Sequence, residues 1–227
     1  MFSRSKIELT YVANSGVSIQ YKDKKIMIDG VHMAQSHPYF STPQKFAEKM
    51  LLNKEPFNNI DLMFFTHHHT DHFDPQMTNE ILKRNKHIQL VGTSSVLDML
   101  SACDNYNPIL ASQVRPVSLP RYKSIQMNVK ETPFEVISVV HDSDVYQGVE
   151  NFAFLFEIKN KLFLHVGDAQ ASVYNFQSGR LFEKHVDVLM VPFPFIGLSA
   201  GRKIIHNINP QRVVVTHLPD KKYDTMN

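Results

Sequence analysis

Apolar and polar positions alternate through Val17-Ser18-Ile19-Gln20-Tyr21, the rhythm of a strand with one face toward a core. Lys22-Asp23-Lys24-Lys25 breaks that rhythm as a polar turn, and Ile26-Met27-Ile28 resumes it as a short apolar strand ending at Asp29-Gly30. Residues 7–30 therefore read as strands around tight turns. A long irregular stretch follows over residues 32–59. The pattern predicts one helix inside it, with Thr42 as N-cap, Pro43 at the first helical position, and Phe46, Met50 and Leu51 on one face. Connections of that length commonly serve as lids or binding loops.

The rest of the chain alternates more regularly. An apolar strand over 60–65 runs into a cluster of histidines. Asp74-Pro75 has the form of an N-cap followed by proline at the first position, opening a helix through about Arg84. A strand over 88–91 leads to a helix capped by Ser94 or Ser95 and carrying Val96, Leu97, Met99 and Leu100. Residues 105–135 look strand-rich, punctuated by Pro108, Pro116, Pro120 and Pro133. Further strands are expected over 134–140, 162–166, 186–191 and 212–216, with a helix over 199–207. No short-period repeat, low-complexity tract or linker interrupts this order. The expected class is α/β or layered α+β, as one domain over residues 1–227.

Composition narrows the picture. A chain of 227 residues, 43% hydrophobic, is long enough to bury a substantial core. With 24 basic and 22 acidic side chains the formal charge is +2, so charge alone gives no reason to expect nucleic acid or an anionic membrane as partner. The single cysteine, Cys103, excludes an intramolecular disulfide. No stretch approaches the ~18 apolar residues of a membrane span, and the N-terminus has no apolar segment of the signal-peptide kind. A reducing, cytoplasmic location is the default expectation, with a small molecule as partner and a homo-oligomer left open. Twelve histidines turn attention to metal chemistry.

Four of them stand in Thr66-His67-His68-His69-Thr70-Asp71-His72, at the end of a buried strand. In an extended segment His67 and His69 project to one side and can share a metal ion, and the turn before Asp74 re-aims Asp71 and His72. Packing explains such a cluster poorly, because buried imidazoles and carboxylates are costly without partners. Three more apolar strands each end in a residue able to bind a metal: His141, Asp168 and His217. Strand ends are where α/β folds place their sites. Five histidines and two aspartates suffice for two divalent ions with a carboxylate bridge. A thiolate-free set suits Zn, with Mn or Fe as competitors.

The segment THHHTDH resembles the HxHxDH motif of the metallo-β-lactamase superfamily. The later landmarks come in the same order: His141 after a strand, Gly167-Asp168 after another, and His217 in Val-Val-Val-Thr-His. The resemblance runs from Tyr11-Val12-Ala13-Asn14-Ser15-Gly16 onward and is nearest the compact branch of ascorbate-phosphate lactonase-like proteins and the core of tRNA 3′-end processing nucleases. It implies a four-layer αββα sandwich. It also implies that His67, His69 and His141 bind one metal, that Asp71, His72 and His217 bind the second, and that Asp168 bridges them. The implied reaction is attack by a metal-bridged hydroxide on an ester, lactone or phosphoester, with Asp71 orienting the water or accepting its proton. The motif fixes reaction type better than substrate. A nuclease of the same fold is the alternative, disfavoured by the +2 charge and the lack of an arm-like insertion. A non-catalytic metal-binding sensor is the other. Diiron oxidoreductases of this fold usually carry Glu where His69 stands.

Other residues have plainer readings. Asp29 either orients a histidine ligand from behind or only forms a turn. His68 fills an intervening position. His32 and His37 lie in the long loop, where structural roles outweigh contact with substrate. His87, His165, His185 and His206 lack a partner pattern, and Cys103 reads as a small hydrophobe at a helix end. Pro192-Phe193-Pro194-Phe195 either walls the pocket or packs as a connection.

Overall fold

The computed structural model describes residues 6–36, 38–146 and 148–220; His37 lies outside them. The chain forms two compact units, Met1–Pro116 with Pro219–Asn227, and Val117–Leu218. Each is built on one six-stranded mixed sheet with its own helices.

In the first unit the elements are β1 (Glu8–Ala13), β2 (Gly16–Tyr21), β3 (Lys24–Ile28), α1 (Gln44–Leu51), β4 (Leu62–Phe64), α2 (Pro75–Arg84), β5 (Gln89–Thr93), α3 (Ser94–Ser101) and β6 (Val114–Val117). The sheet order follows the chain order, β1 to β6. β1, β2 and β3 are antiparallel, whereas β3, β4 and β5 are parallel. Asn14 makes the turn between β1 and β2 in the left-handed region, φ 47°, a conformation its short polar side chain tolerates. A Cβ on Gly16 would lie 2.7 Å from the Asp29 carbonyl, so only glycine lets this turn approach the end of β3.

Asp74 caps α2 as expected, its Oδ1 accepting from Met77 N at 2.8 Å with Pro75 behind it. Thr42 does not cap α1. Its hydroxyl donates instead to Gly30 O (3.0 Å) and accepts from His32 N (3.1 Å), joining the loop to the end of β3. α3 is capped by Thr93 rather than by Ser94 or Ser95. The helices bury Met50, Ile81, Leu82, Val96 and Leu100 against Met27, Met63, Phe65 and Leu90 of the sheet. Ile26, Ile28, Leu62, Phe64 and Val91, which alternate with these, are equally buried, so the central strands are apolar on both faces.

The second unit contains β7 (Ser124–Val129), β8 (Thr132–Val140), β9 (Glu150–Ile158), β10 (Lys161–His165), α4 (Val173–Ser178), β11 (Val188–Pro192), α5 (Pro194–Gly197), α6 (Ser199–Ile208) and β12 (Arg212–Thr216). Its sheet runs β12-β11-β10-β9-β8-β7, parallel from β12 to β10 and antiparallel from β10 to β7. Lys130-Glu131 and Lys159-Asn160 both have two successive positive φ angles, the backbone of a two-residue hairpin turn whose twist suits antiparallel strands. With neither turn carrying glycine, Lys130-Glu131 and Lys159-Asn160 hide from sequence reading, and the second hides β9 with it. Phe195, in the Pro-Phe run, is a core residue against Phe176, ring centroids 5.4 Å apart. Among the described residues no helix is long and apolar enough to cross a membrane.

Candidate metal centre

The first unit gathers His67, His69, Asp71, His72 and Asp29. Phe65 and Phe73, both buried, bracket the histidine loop with ring centroids 4.7 Å apart, an edge-on pairing that pins its two ends. The far end is also tied to the end of β3, where Asp74 N donates to Val31 O at 2.8 Å. Between these anchors the His67 and His69 rings lie 4.7 Å apart, and those of His67 and His72 4.0 Å.

Asp29 is the hub. It is fully buried, in the left-handed region with φ 47°, and its Oδ1 accepts from Thr66 N at 2.8 Å. Its Oδ2 accepts from the Thr66 hydroxyl at 2.6 Å and from His72 Nδ1 at 2.9 Å. Having given its proton to Asp29, the Thr66 hydroxyl is an acceptor toward His67 Nδ1, 3.0 Å away. One carboxylate thus fixes two imidazoles, directly for His72 and through Thr66 for His67. With the proton on Nδ1, Nε2 is the lone-pair nitrogen of each ring, the form a metal ligand needs. Asn14 braces the carboxylate of the motif, its Nδ2 donating to Asp71 O (2.9 Å) and Asp71 Oδ2 (3.2 Å).

The second unit gathers His141, Asp168 and His217 from three different strand ends. Asp168 Oδ2 lies 3.2 Å from His217 Nε2 and 4.0 Å from His141 Nε2. His141 Nδ1 donates to Asp142 O at 2.6 Å, so here too the outer nitrogen is occupied and Nε2 carries the lone pair. His217 follows β12 in the left-handed region, φ 57°, an uncommon conformation for a histidine and one that the site must hold in place. Asn175, buried on α4, bonds Val140 N (2.9 Å), Val140 O (3.0 Å) and Gln170 O (3.2 Å), and so ties the end of β8 to the loop after Asp168.

Within each unit the ligand atoms of His67 with His69, of Asp71 with His72, and of Asp168 with His217 lie within 4.8 Å of one another. Imidazole and carboxylate donors, three of the imidazoles with Nδ1 held against an acceptor, and no thiolate fit a divalent cation. Thr66, Asn14, Asn151 and Asn175 did not stand out in the sequence as site residues. The signal was there: a polar residue inside an apolar run, as in Glu150-Asn151-Phe152-Ala153-Phe154, marks a buried group that must bond to something.

His32 is fully buried and does not face solvent; desolvation, and secondarily the nearby His72, lower its pKa to about 4. His87, His185 and His206 are exposed. His165 is buried and accepts from Gly167 N at 3.1 Å, a partner that its sequence neighbourhood did not advertise. Cys103 bonds Met99 O, and burial raises its thiol pKa, as suits a packed residue rather than a nucleophile.

A family model described as "Beta-lactamase superfamily domain" matches residues 8–217. Among solved structures, the metallo-beta-lactamase fold protein YhfI from Bacillus subtilis aligns at 14% identity and TM-score 0.61, covering 92% of this chain and 79% of that one. Igni18, described as a metallo hydrolase from the archaeon Ignicoccus hospitalis, aligns at 17% identity and TM-score 0.63, with coverages of 93% and 82%. The short form of human tRNase Z aligns at 14% identity and TM-score 0.60, with coverages of 90% and 85%. At these identities the likeness is one of fold, and it is the fold expected from the motif. No curated protein matches this chain.

Proposed function

The chain belongs to the metallo-β-lactamase superfamily, whose domain model it matches over residues 8–217, and from that premise we propose that it is a hydrolase using two divalent cations to cleave an ester, lactone or phosphoester of a small molecule. On this reading His67, His69 and His141 would hold one cation and Asp71, His72 and His217 the other, with Asp168 as a further ligand. Zinc suits the donor set, and manganese or iron are competitors. When bound, the cation pair supplies Lewis acidity toward the scissile carbonyl or phosphoryl group and lowers the pKa of water toward ~7.

The protein's own groups do the rest. Asp29 keeps the Nδ1 protons of His72 and, through Thr66, His67 in place, so neither ring rotates or changes tautomer during turnover. Asn14 holds the Asp71 side chain through Oδ2, aiming the carboxylate that orients the attacking water and takes its proton. The observation that carries this reading is the tautomer control at His67, His72 and His141: each has Nδ1 against an oxygen acceptor, of Thr66, Asp29 and Asp142 respectively, which leaves Nε2 as the lone-pair nitrogen.

A panel of esters, lactones and phosphodiesters, tested with zinc, manganese and iron loaded in turn, checks the reaction class. Turnover of at least one substrate, lost to background in His69→Ala, is expected. A silent panel with metals bound would replace catalysis by non-catalytic metal binding.

A further inference from the structure

Asn151 is fully buried at the second position of β9, where it pairs with Val139. Asparagine is disfavoured in strands and costly in a core unless its amide is bonded. Its amide meets two backbone groups of one turn: Nδ2 donates to Val166 O at 3.1 Å, and Oδ1 accepts from Asp168 N at 3.1 Å. Gly167, with φ 56°, swings the chain out of the strand path at this point. The side-chain amide therefore acts as the strand neighbour that the turn has left behind.

Further contacts restrain the same turn. Gly167 N donates to His165 Nδ1 at 3.1 Å, and Asp142 N donates to Asp168 O at 2.7 Å. Asp168 is thus gripped at both its N–H and its carbonyl, while its carboxylate stands 3.2 Å from His217 Nε2. A solvent loop of this length needs no such grip.

We propose that Asn151 is a positioning residue for Asp168: by holding the backbone of the 166–168 turn it sets where the carboxylate presents its oxygens to the cations. This rests on the metal-binding reading above. Loss of the amide leaves Asp168 in place chemically but frees its backbone, so the metal site loosens before the fold does.

Cobalt(II) titration of the wild type, Asn151→Ala, Asn151→Thr and Asn79→Ala, followed by visible absorption and calorimetry beside thermal melts, tests it. Asn79 is an equally buried amide, bonded to Leu100 O and Asn105 Oδ1, neither of them a ligand. Both Asn151 variants are expected to bind cobalt about 10- to 100-fold more weakly, with an altered ligand-field spectrum, as loss of a partner behind a ligand typically does. Asn79→Ala is expected to melt earlier with unchanged affinity and spectrum. Threonine suits a strand, so Asn151→Thr carries the comparison if Asn151→Ala does not fold. Asn151 variants that melt early yet bind cobalt like the wild type would overturn the proposal and leave the metal reading standing. A wild type that takes up less than one equivalent would overturn both.

Discussion

The two units solve one problem by different means. Each has a sheet that is antiparallel along one side and parallel along the other, and each carries its ligand candidates at the ends of strands. The first unit takes its four from a single loop and steadies two of them with one buried carboxylate, Asp29. The second takes three from separate strands and steadies the backbone beside two of them, Asp168 and His141, with the buried neutral amides Asn151 and Asn175. A contiguous loop can be organised from one charged point, because its donors converge there. Scattered strand ends cannot, and at two of them an amide offers a donor and an acceptor at once, as a neighbouring strand would.

That contrast is open to attack at several points. Asp29→Ala should produce the largest effect, about 3–5 kcal/mol of lost stability, because it leaves the Thr66 and His72 donors buried without their charge. Urea unfolding measures it, and a loss below ~1 kcal/mol would mean that Asp29 is no hub. Asp29→Asn should recover part of the loss, since it keeps the shape but sets a donor against donors.

His32 gives the next effect. Its pKa, lowered from 6.5 to about 4 in the fold, means the unfolded chain binds the extra proton between those values. Stability is then full above pH 6.5 and falls as pH drops toward 4, by at most about 3 kcal/mol from this residue. Comparing unfolding midpoints at pH 7 and 4.5 in wild type and His32→Gln checks it: the variant should show the shallower slope.

Asn175→Ala should cost about 2–3 kcal/mol, less than Asp29→Ala, through three lost bonds to backbone. If the two losses are equal, the distinction between charged hub and neutral amide fails. Asp74→Ala should cost only about 1 kcal/mol, the worth of a helix cap, and leave metal affinity unchanged although Asp74 follows the motif by two residues.

The halves also differed in how openly the sequence displayed them. The motif loop and the ligand-bearing strand ends stand out because each couples an apolar run to a chemically unusual residue, and β12 lies over the residues expected, 212–216. Asp29 was visible as a strand-terminal acid, but its bonds to Thr66 and His72 link residues 37 and 43 positions apart, which no local pattern encodes. β9 and its Asn151 were hidden for a related reason. The turn before β10, Lys159-Asn160, has a lysine in the first left-handed position, where an Asn-Gly or Gly-Gly pair would have announced a hairpin. Thr42 shows the opposite error: a good capping residue was drawn away by a buried partner, Gly30 O, that only the tertiary fold supplies.

The two ligand sets should bind metal in solution. Elemental analysis of the purified chain after reconstitution with zinc should find about two ions per chain, and His69→Ala and Asp168→Ala should each reduce that number. Fewer than one ion per chain in the wild type would contradict it.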